Sequence, residues 1–225
     1  MRDWISVRTT EAVRARAPAT RRASWFAAGS WELYALGLVP AAWTFWLAVS
    51  DQLGADPLKV LERSLGLWAL RFLVAGLAVT PLRRLGGPNL MRYRRTLGLL
   101  AFAYAVLHVV VYLWLDQGLD PALILKDIVK RPYITVGMLA FLILIPLAIT
   151  SNTTAIKRLG AAAWQRLHRW VYLAAALAAL HFVMLVKTWQ AEPLIYAAMV
   201  ALLLLYRAAP LAQKSKQERK KIEET

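Results

Sequence analysis

Six long apolar blocks are the feature that most constrains how this chain of 225 residues can fold. A helix needs about 20 consecutive, mostly apolar residues to cross a bilayer. Inside lipid, such a block must satisfy its own backbone hydrogen bonds, which a helix does. The sequence therefore predicts an all-α membrane protein, a bundle of six transmembrane helices. The blocks are Trp31–Ser50, Ser64–Leu82, Thr96–Leu115, Tyr133–Thr150, Trp164–Val186 and Leu194–Tyr206.

The basic residues predict the orientation of this bundle. The net charge of +15 is also typical of nucleic-acid-binding proteins, but here the charge follows the blocks. The segments on the side of the two termini, counted through Arg169 at the start of the fifth block, hold 21 Lys and Arg residues, and the three segments opposite hold 6. Because cytoplasmic loops carry the excess of Lys and Arg, we expect both termini in the cytoplasm, membrane lipid as a partner and no nucleic acid.

The composition divides the chain into three regions. Residues 1–30 are predicted to be a basic cytoplasmic arm, residues 31–209 the six-helix domain and residues 210–225 a charged cytoplasmic tail. The chain contains no Cys. This excludes disulfides, iron–sulfur clusters and haem attached through cysteine.

Two of the three histidines fall at matching depths in the predicted bundle. His108 lies 13 residues beyond Arg95, which is about 20 Å along the third helix. His181 lies about 17 residues into the fifth helix, which also runs outward. An ionisable side chain at such a depth is costly and usually functional, and two neutral imidazoles suit a six-coordinate haem iron. The spacing predicts haem b ligated by His108 and His181, and simple hydrogen bonding between helices is the alternative.

The third histidine, His168, leaves two interpretations open. It precedes His181 by 13 residues, which places it about 140° away around an ideal helix, so both face the bundle axis only across a kink or a π-turn. Arg94 occupies the level where a ligand opposite His168 would complete a second haem site, and a guanidinium does not ordinarily ligate iron. His168 is therefore predicted to be either a ligand at an inner haem or an interfacial residue.

Two sets of basic residues are further candidates for binding. Arg71 lies inside the second block. We expect its guanidinium either to pair with a haem propionate near the outer side or to extend to the lipid headgroups. The segment Arg83–Arg95 holds basic but no acidic residues, which favours either the topology signal with anionic lipid or a flavin phosphate.

Several ungapped stretches carry a family resemblance that runs from about Leu33 to Arg207. They are "LGADP", "RRTLGLLAFAYAVLH", "RPYITVG", "LGAAAWQRLHRWVYL" and "EPLIY". The chain resembles the bacterial haem-binding membrane subunits of the periplasmic protein-methionine-sulfoxide reductase system, the MsrQ or YedZ family. That family belongs to the wider ferric-reductase-like transmembrane group, which includes the NADPH oxidases.

The resemblance implies ligands, cofactors and partners. In the wider group, two histidines lie on the third helix and two on the fifth. His108 matches the outer third-helix ligand, His168 and His181 match the fifth-helix pair, and Arg94 replaces the inner third-helix ligand. The resemblance also implies FMN as an additional cofactor and a bacterial inner-membrane location. It implies quinol or a separate cytoplasmic flavin reductase as the electron donor, and a periplasmic molybdenum-dependent methionine sulfoxide reductase as the acceptor.

The sequence thus predicts a transmembrane b-type cytochrome that is an electron-transfer subunit rather than a stand-alone catalyst. No G-x-G-x-x-G motif follows a predicted strand, so we expect no nicotinamide-binding region like that of the oxidases. The alternatives are a ferric-chelate reductase or generic quinol-linked cytochrome b, and a haem-free transporter or scaffold. The acceptor is expected to dock on the outer segments, which are Asp51–Arg63, Asp116–Arg131 and Lys187–Pro193.

Overall fold

The computed structural model describes residues 29–186 and 190–223, with side chains described for residues 31–186 and 190–208. The predicted arm lies outside the described residues except for its last two positions. Nine α-helices form in the described part of the chain: α1 (Gly29–Val49), α2 (Pro57–Arg84), α3 (Arg94–Val110), α4 (Pro121–Lys130), α5 (Pro132–Ile149), α6 (Thr153–Leu159), α7 (Ala161–His168), α8 (Val171–Leu185) and α9 (Ala191–Glu223).

Six helical stretches among the described residues are long and apolar enough to span a membrane, which confirms the predicted fold class. The third stretch consists of a 3₁₀ turn, α3 and a π-helical turn at Val111–Asp116. The fifth joins α7 and α8. No strand occurs in the described residues. The stretches are Trp31–Val49, Pro57–Arg84, Met91–Asp116, Pro132–Ile149, Ala161–Leu185 and Ala191–Ala208.

The helices depart from the predicted blocks at three places. Helix α2 begins at Pro57 instead of Ser64, because Asp56 caps it by accepting from the Lys59 backbone N–H and Pro57 fits the first helical position. The side-chain hydrogen bond from Lys59 also lowers the pKa of Asp56. Helix α4 forms within the segment expected to be a loop, and α9 extends beyond both ends of the sixth predicted block, Leu194–Tyr206.

The helices pack as two close pairs with two flanking helices. Helix α2 packs along α3, α5 packs along α8, α9 packs on α8 and α2, and α1 packs on α2 and α3. Three alanines of α8, Ala174, Ala175 and Ala179, are buried in the main apolar core with α2 and α9 residues. Small side chains let helix backbones approach closely, which is how helices associate where lipid weakens the hydrophobic drive.

The bundle has two ends, which we call upper and lower. At the upper end, α1, the third stretch and α8 finish, and α2, α5 and α9 begin. Helix α4 also lies there. At the lower end, α2 and α5 finish, α3 begins, and α6 and α7 form the connection to α8.

Proline lies inside three of the spanning helices, α1, α2 and α5. In α1 and α2, a side chain from another helix satisfies the backbone near the proline. In α1, beside Pro40, the hydroxyl of buried Tyr104 donates to the Gly37 carbonyl at 2.7 Å and accepts from the Ala41 N–H at 3.0 Å. In α2, Pro81 has no N–H for the Leu77 carbonyl four residues earlier. The Arg207 guanidinium of α9 donates to that carbonyl instead, at 2.6 Å.

The predicted fifth helix is broken next to His168. A tight turn at Arg169 and Trp170 separates α7 from α8, and Trp170 N–H donates to the Leu167 carbonyl three residues earlier at 3.0 Å. A turn of this kind rotates by about 120° per residue rather than about 100°. It therefore reduces the azimuthal offset of 140° expected between His168 and His181 on an ideal helix.

Candidate functional site

His108 on α3 and His181 on α8 lie next to each other near the upper end of the bundle. Their ring centroids are 6.3 Å apart and the ring planes are inclined by 74°. Both rings are partly buried, and both line a cavity between α2, α3, α5 and α8. The structure thus brings together the two histidines that the sequence places at matching depth.

A backbone carbonyl determines the tautomer of each ring. The Nδ1 of His108 donates to the Glu62 carbonyl at 2.9 Å, and the Nδ1 of His181 donates to the Tyr133 carbonyl at 2.7 Å. A carbonyl oxygen can only accept, so each Nδ1 carries a proton, and in a neutral imidazole that leaves Nε2 without one. The Nε2 atoms then keep their lone pairs, and these are the atoms with which such rings bind metal.

A glycine makes room for each imidazole. Gly66 lies four residues after Glu62 on α2, and Gly137 lies four residues after Tyr133 on α5. A Cβ at Gly66 would lie 3.1 Å from the His108 Nδ1, and a Cβ at Gly137 would lie 2.7 Å from the His181 Nδ1. Each half of the site therefore consists of a carbonyl, a glycine one helical turn later, and a histidine on the paired helix.

The cavity has a volume of about 350 Å³, within the usual range for cofactor pockets. Its lower part is apolar, and Phe141 in its wall stacks on Phe102 with ring centroids 6.0 Å apart. Its upper mouth carries all five charged side chains that line it: Lys59, Glu62, Arg63, Asp116 and Arg131. The apolar lining is Leu67, Ala69, Leu70, Leu73, Ala101, Ala105, Val109, Ile134, Met138, Ala140, Phe141, Leu144, Ala178, Phe182 and Leu185.

Hydrogen bonds hold the start of α5 against α4 at this mouth. The Arg131 Nε lies 3.0 Å from a carboxylate oxygen of Asp127, and its Nη1 donates to the Tyr133 hydroxyl at 3.4 Å. The bond to Tyr133 raises the pKa of Arg131 above its usual value. Tyr112 also donates to Asp127, at 3.3 Å. Arg131 is therefore permanently charged and held at the rim of the cavity.

His168 lies apart from this cavity, at the lower end of the bundle. Its Nε2 is 3.0 Å from the Thr150 hydroxyl, and its ring stacks on Trp164 with centroids 3.9 Å apart. The Trp164 indole N–H also donates to the Thr150 carbonyl. The Nε2 of His168 is thus already bonded to a side chain of the bundle. Arg94 lies partly buried at the start of α3, which is also at the lower end of the bundle. The two candidate residues of the inner level, His168 and Arg94, therefore both lie at that end.

Arg71 is directed away from the cavity and toward α9. Its Nε donates to the Tyr196 hydroxyl at 2.9 Å, its guanidinium lies 3.9 Å from Glu192, and it stacks over Trp68. Since α2 begins earlier than predicted, Arg71 lies 14 residues into the helix, about 21 Å from its start. Its contacts in the structure are thus with α9 and Trp68, and both expected roles, pairing with a propionate or extending to the headgroups, stay predictions.

Sequence reasoning missed the glycines and the charged mouth. Gly66 and Gly137 interrupt apolar helical runs, where a glycine costs up to about 1 kcal/mol relative to alanine and so indicates a close approach. Arg63 and Arg131 were assigned to connecting loops, although both lie within reach of the cavity. No group of three or more His, Asp or Glu side chains suited to a metal ion occurs among the described residues.

Comparison with known proteins agrees with this architecture. Residues 64–179, just over half of the chain, match the family model described as "Ferric reductase like transmembrane component". The chain is 58% identical over 179 residues to proteins of Brucella ovis, Brucella canis and Brucella melitensis biotype 2, covering 80% of this chain and 81% of each relative. Each of these relatives is named protein-methionine-sulfoxide reductase heme-binding subunit MsrQ.

The region that the family model matches contains His108, His168, both glycines of the site and Arg71, and it ends two residues before His181. Its helices α2, α3, α5 and α8 are the four that surround the cavity. On the family model and on the identity across four-fifths of its length, the chain belongs to the ferric-reductase-like transmembrane family and, within it, to the MsrQ group.

Proposed function

We propose that this chain is a transmembrane b-type cytochrome that delivers electrons to a methionine sulfoxide reductase outside the cytoplasm. The observation that carries the proposal is the pair of neutral imidazoles, each bonded through Nδ1 to a backbone carbonyl and each facing one cavity. The relatives' name adds a haem-binding role within a methionine sulfoxide reductase system.

The two rings are spaced as one metal ion between them requires. With a metal–nitrogen bond of about 2 Å and a ring nitrogen roughly 1 Å from its ring centre, imidazoles on opposite sides of one ion have centres about 6 Å apart. The observed separation is 6.3 Å. The apolar cavity with a charged mouth also suits a ring with one polar edge. The residues present therefore fit haem b, held by His108 and His181.

Each part of the chain has a separate task in this proposal. When bound, the haem supplies a one-electron iron couple, whose potential depends on its ligands and on the surrounding dielectric. His108 and His181 hold it. The carbonyls of Glu62 and Tyr133 fix the orientation of the rings and make the Nε2 atoms better ligands. The apolar lining excludes water from the metal.

The charge asymmetry supports an outward direction of transfer. With both termini cytoplasmic, the upper end of the bundle faces the periplasm, so the histidine pair lies closer to that face. We infer an inner-membrane location, quinol or a cytoplasmic flavin reductase as the donor, and a periplasmic molybdenum-dependent acceptor. FMN and these partner details rest on the family resemblance.

One alternative is direct reduction of ferric chelates, which the name of the family model favours. It differs from the main proposal because it needs no partner protein. A ferric chelate added to reduced vesicles would then reoxidise the protein as fast as any docked reductase does.

Replacing either His108 or His181 with Ala should abolish the low-spin b-type spectrum of the dithionite-reduced protein, because each ring would supply one of the nitrogens that hold the haem. Adding free imidazole should restore the low-spin spectrum to each variant, since the vacated position can bind it. Elution from a size-exclusion column verifies folding. A full low-spin spectrum in either variant, or no haem in the wild type, would refute this assignment.

Replacing Gly137 with Ala should remove more haem than the same change at Gly66. The added methyl group at 137 would meet the His181 ring at 2.7 Å, against 3.1 Å at His108 for residue 66. Gly98→Ala is the matched control, because a Cβ there meets nothing within 4 Å. Haem per polypeptide is measured by pyridine haemochrome. Equal haem content in all three variants would contradict the packing argument.

Replacing His168 with Ala should leave roughly half or more of the haem bound, because Thr150 and Trp164 engage this ring outside the cavity. The same pyridine haemochrome measurement applies, with His181→Ala as the comparison. Complete loss of haem from the His168 variant would instead identify it as an axial ligand.

Reduced protein in oriented membrane vesicles should be reoxidised quickly only when a soluble periplasmic acceptor meets the face opposite the termini. The reason is the position of His108 and His181 near the upper end. Stopped-flow absorbance follows the reoxidation, and vesicles of the opposite orientation are the control. Equal rates from both faces would contradict an outward conduit.

A further inference from the structure

The charge distribution in the cavity predicts which way round an amphipathic ligand binds. All charged lining residues lie at the upper mouth, while the lower part is walled by buried apolar side chains such as Leu70, Leu73 and Ala101. A carboxylate placed in the lower part would lose its water without gaining a partner, which is costly. A ligand with carboxylates on one edge must therefore place that edge at the mouth.

One arginine at the mouth belongs to each half of the site. Arg63 comes directly after Glu62, whose carbonyl accepts from His108. Arg131 lies two residues before Tyr133, whose carbonyl accepts from His181. The Arg63 guanidinium lies 5.9 Å from the ring centre of Phe182, which forms part of the cavity wall. The two guanidinium groups thus flank the cavity from opposite helix pairs.

Each arginine uses only some of its N–H donors in bonds to the described residues. A guanidinium has five N–H donors in a planar fork that suits a carboxylate. Arg131 uses Nε for Asp127 and Nη1 for Tyr133, and Arg63 uses Nη2 for Gln190. Lys59, the other cation of the mouth, forms an ion pair with Asp56 in its own helical turn. The arginines are therefore better placed than Lys59 to bind carboxylates.

We propose that Arg63 and Arg131 bind the two propionate carboxylates of the haem at the upper mouth, one from each half of the site. This inference rests on the proposed function. It assigns to these residues the role that the sequence suggested for Arg71, whose guanidinium contacts Tyr196 and Glu192 instead. Glu62 and Asp116 also lie at the mouth, and their negative charges would repel the same carboxylates.

The test compares haem with its dimethyl ester, which lacks the two negative charges. Each ligand is loaded into the full-length protein in nanodiscs, and its loss to excess apomyoglobin is followed by absorbance. Arg63→Gln and Arg131→Gln should each accelerate haem loss about tenfold, as expected for a lost charge-assisted hydrogen bond. Neither change should affect loss of the dimethyl ester. Asp116→Asn should slow haem loss, because it removes a like charge.

Lys130→Gln is the matched control. This substitution removes one positive charge next to Arg131, but Lys130 does not line the cavity. It should therefore change neither the rate of haem loss nor the rate of ester loss. Equal acceleration of haem and ester loss in the arginine variants would overturn the inference, because the arginines would then act on the fold. Unchanged rates, or selective acceleration by Arg71→Gln instead, would also overturn it. Wild-type protein that retains neither ligand would overturn the proposed function itself, and this inference with it.

Discussion

The hydrogen bond from an imidazole Nδ1 to a backbone carbonyl of the neighbouring helix is the interaction on which this site depends. A histidine inside a membrane bundle has two nitrogens to satisfy, and an unpaired buried donor is costly. Here Glu62 and Tyr133 accept those bonds without using a side chain. Each bond joins the two helices of a pair, selects the tautomer and leaves one lone pair facing the cavity. One interaction thus serves packing, orientation and ligation together.

The two half-sites repeat the same construction on unrelated sequences. Helices α2 and α3 supply "ERSLG" and His108, and α5 and α8 supply "YITVG" and His181. The shared elements are the carbonyl, a glycine four residues later and the histidine on the partner helix. Since the carbonyl acceptor is backbone, its residue type is free to vary, and Glu62 and Tyr133 have nothing in common as side chains. A glycine makes room at both points, because a Cβ would lie 2.7 Å from the His181 Nδ1 at residue 137 and 3.1 Å from the His108 Nδ1 at residue 66.

Much of this could be predicted from the sequence because lipid imposes simple rules. Blocks of about 20 apolar residues determine the spans, and the rise of a helix gives the depths of His108 and His181 to within a turn. The break after His168, helix α4 and the partner of Arg71 depend instead on contacts between distant segments. Pro81 illustrates this limit, because the sequence reveals a missing N–H but not that Arg207, 126 residues later, donates to the free carbonyl.

The lower half of the bundle bears on how electrons enter. His108 lies 14 residues above Arg94, about 21 Å along α3 from its start. The cavity wall reaches down to Ala101, seven residues before His108, and below it the interior is filled by the apolar core. His168 is bonded into the α5–α7 connection. Under the proposed function, a donor docked at the lower face would have to transfer across the apolar layer below the cavity in one step. A donor dissolved in the lipid can approach the histidine level from the side of the bundle. Under the proposed function, and with one haem at the upper site, we propose quinol rather than a soluble flavin reductase acting alone as the donor. A flavin bound at the basic lower face would shorten the step from that face.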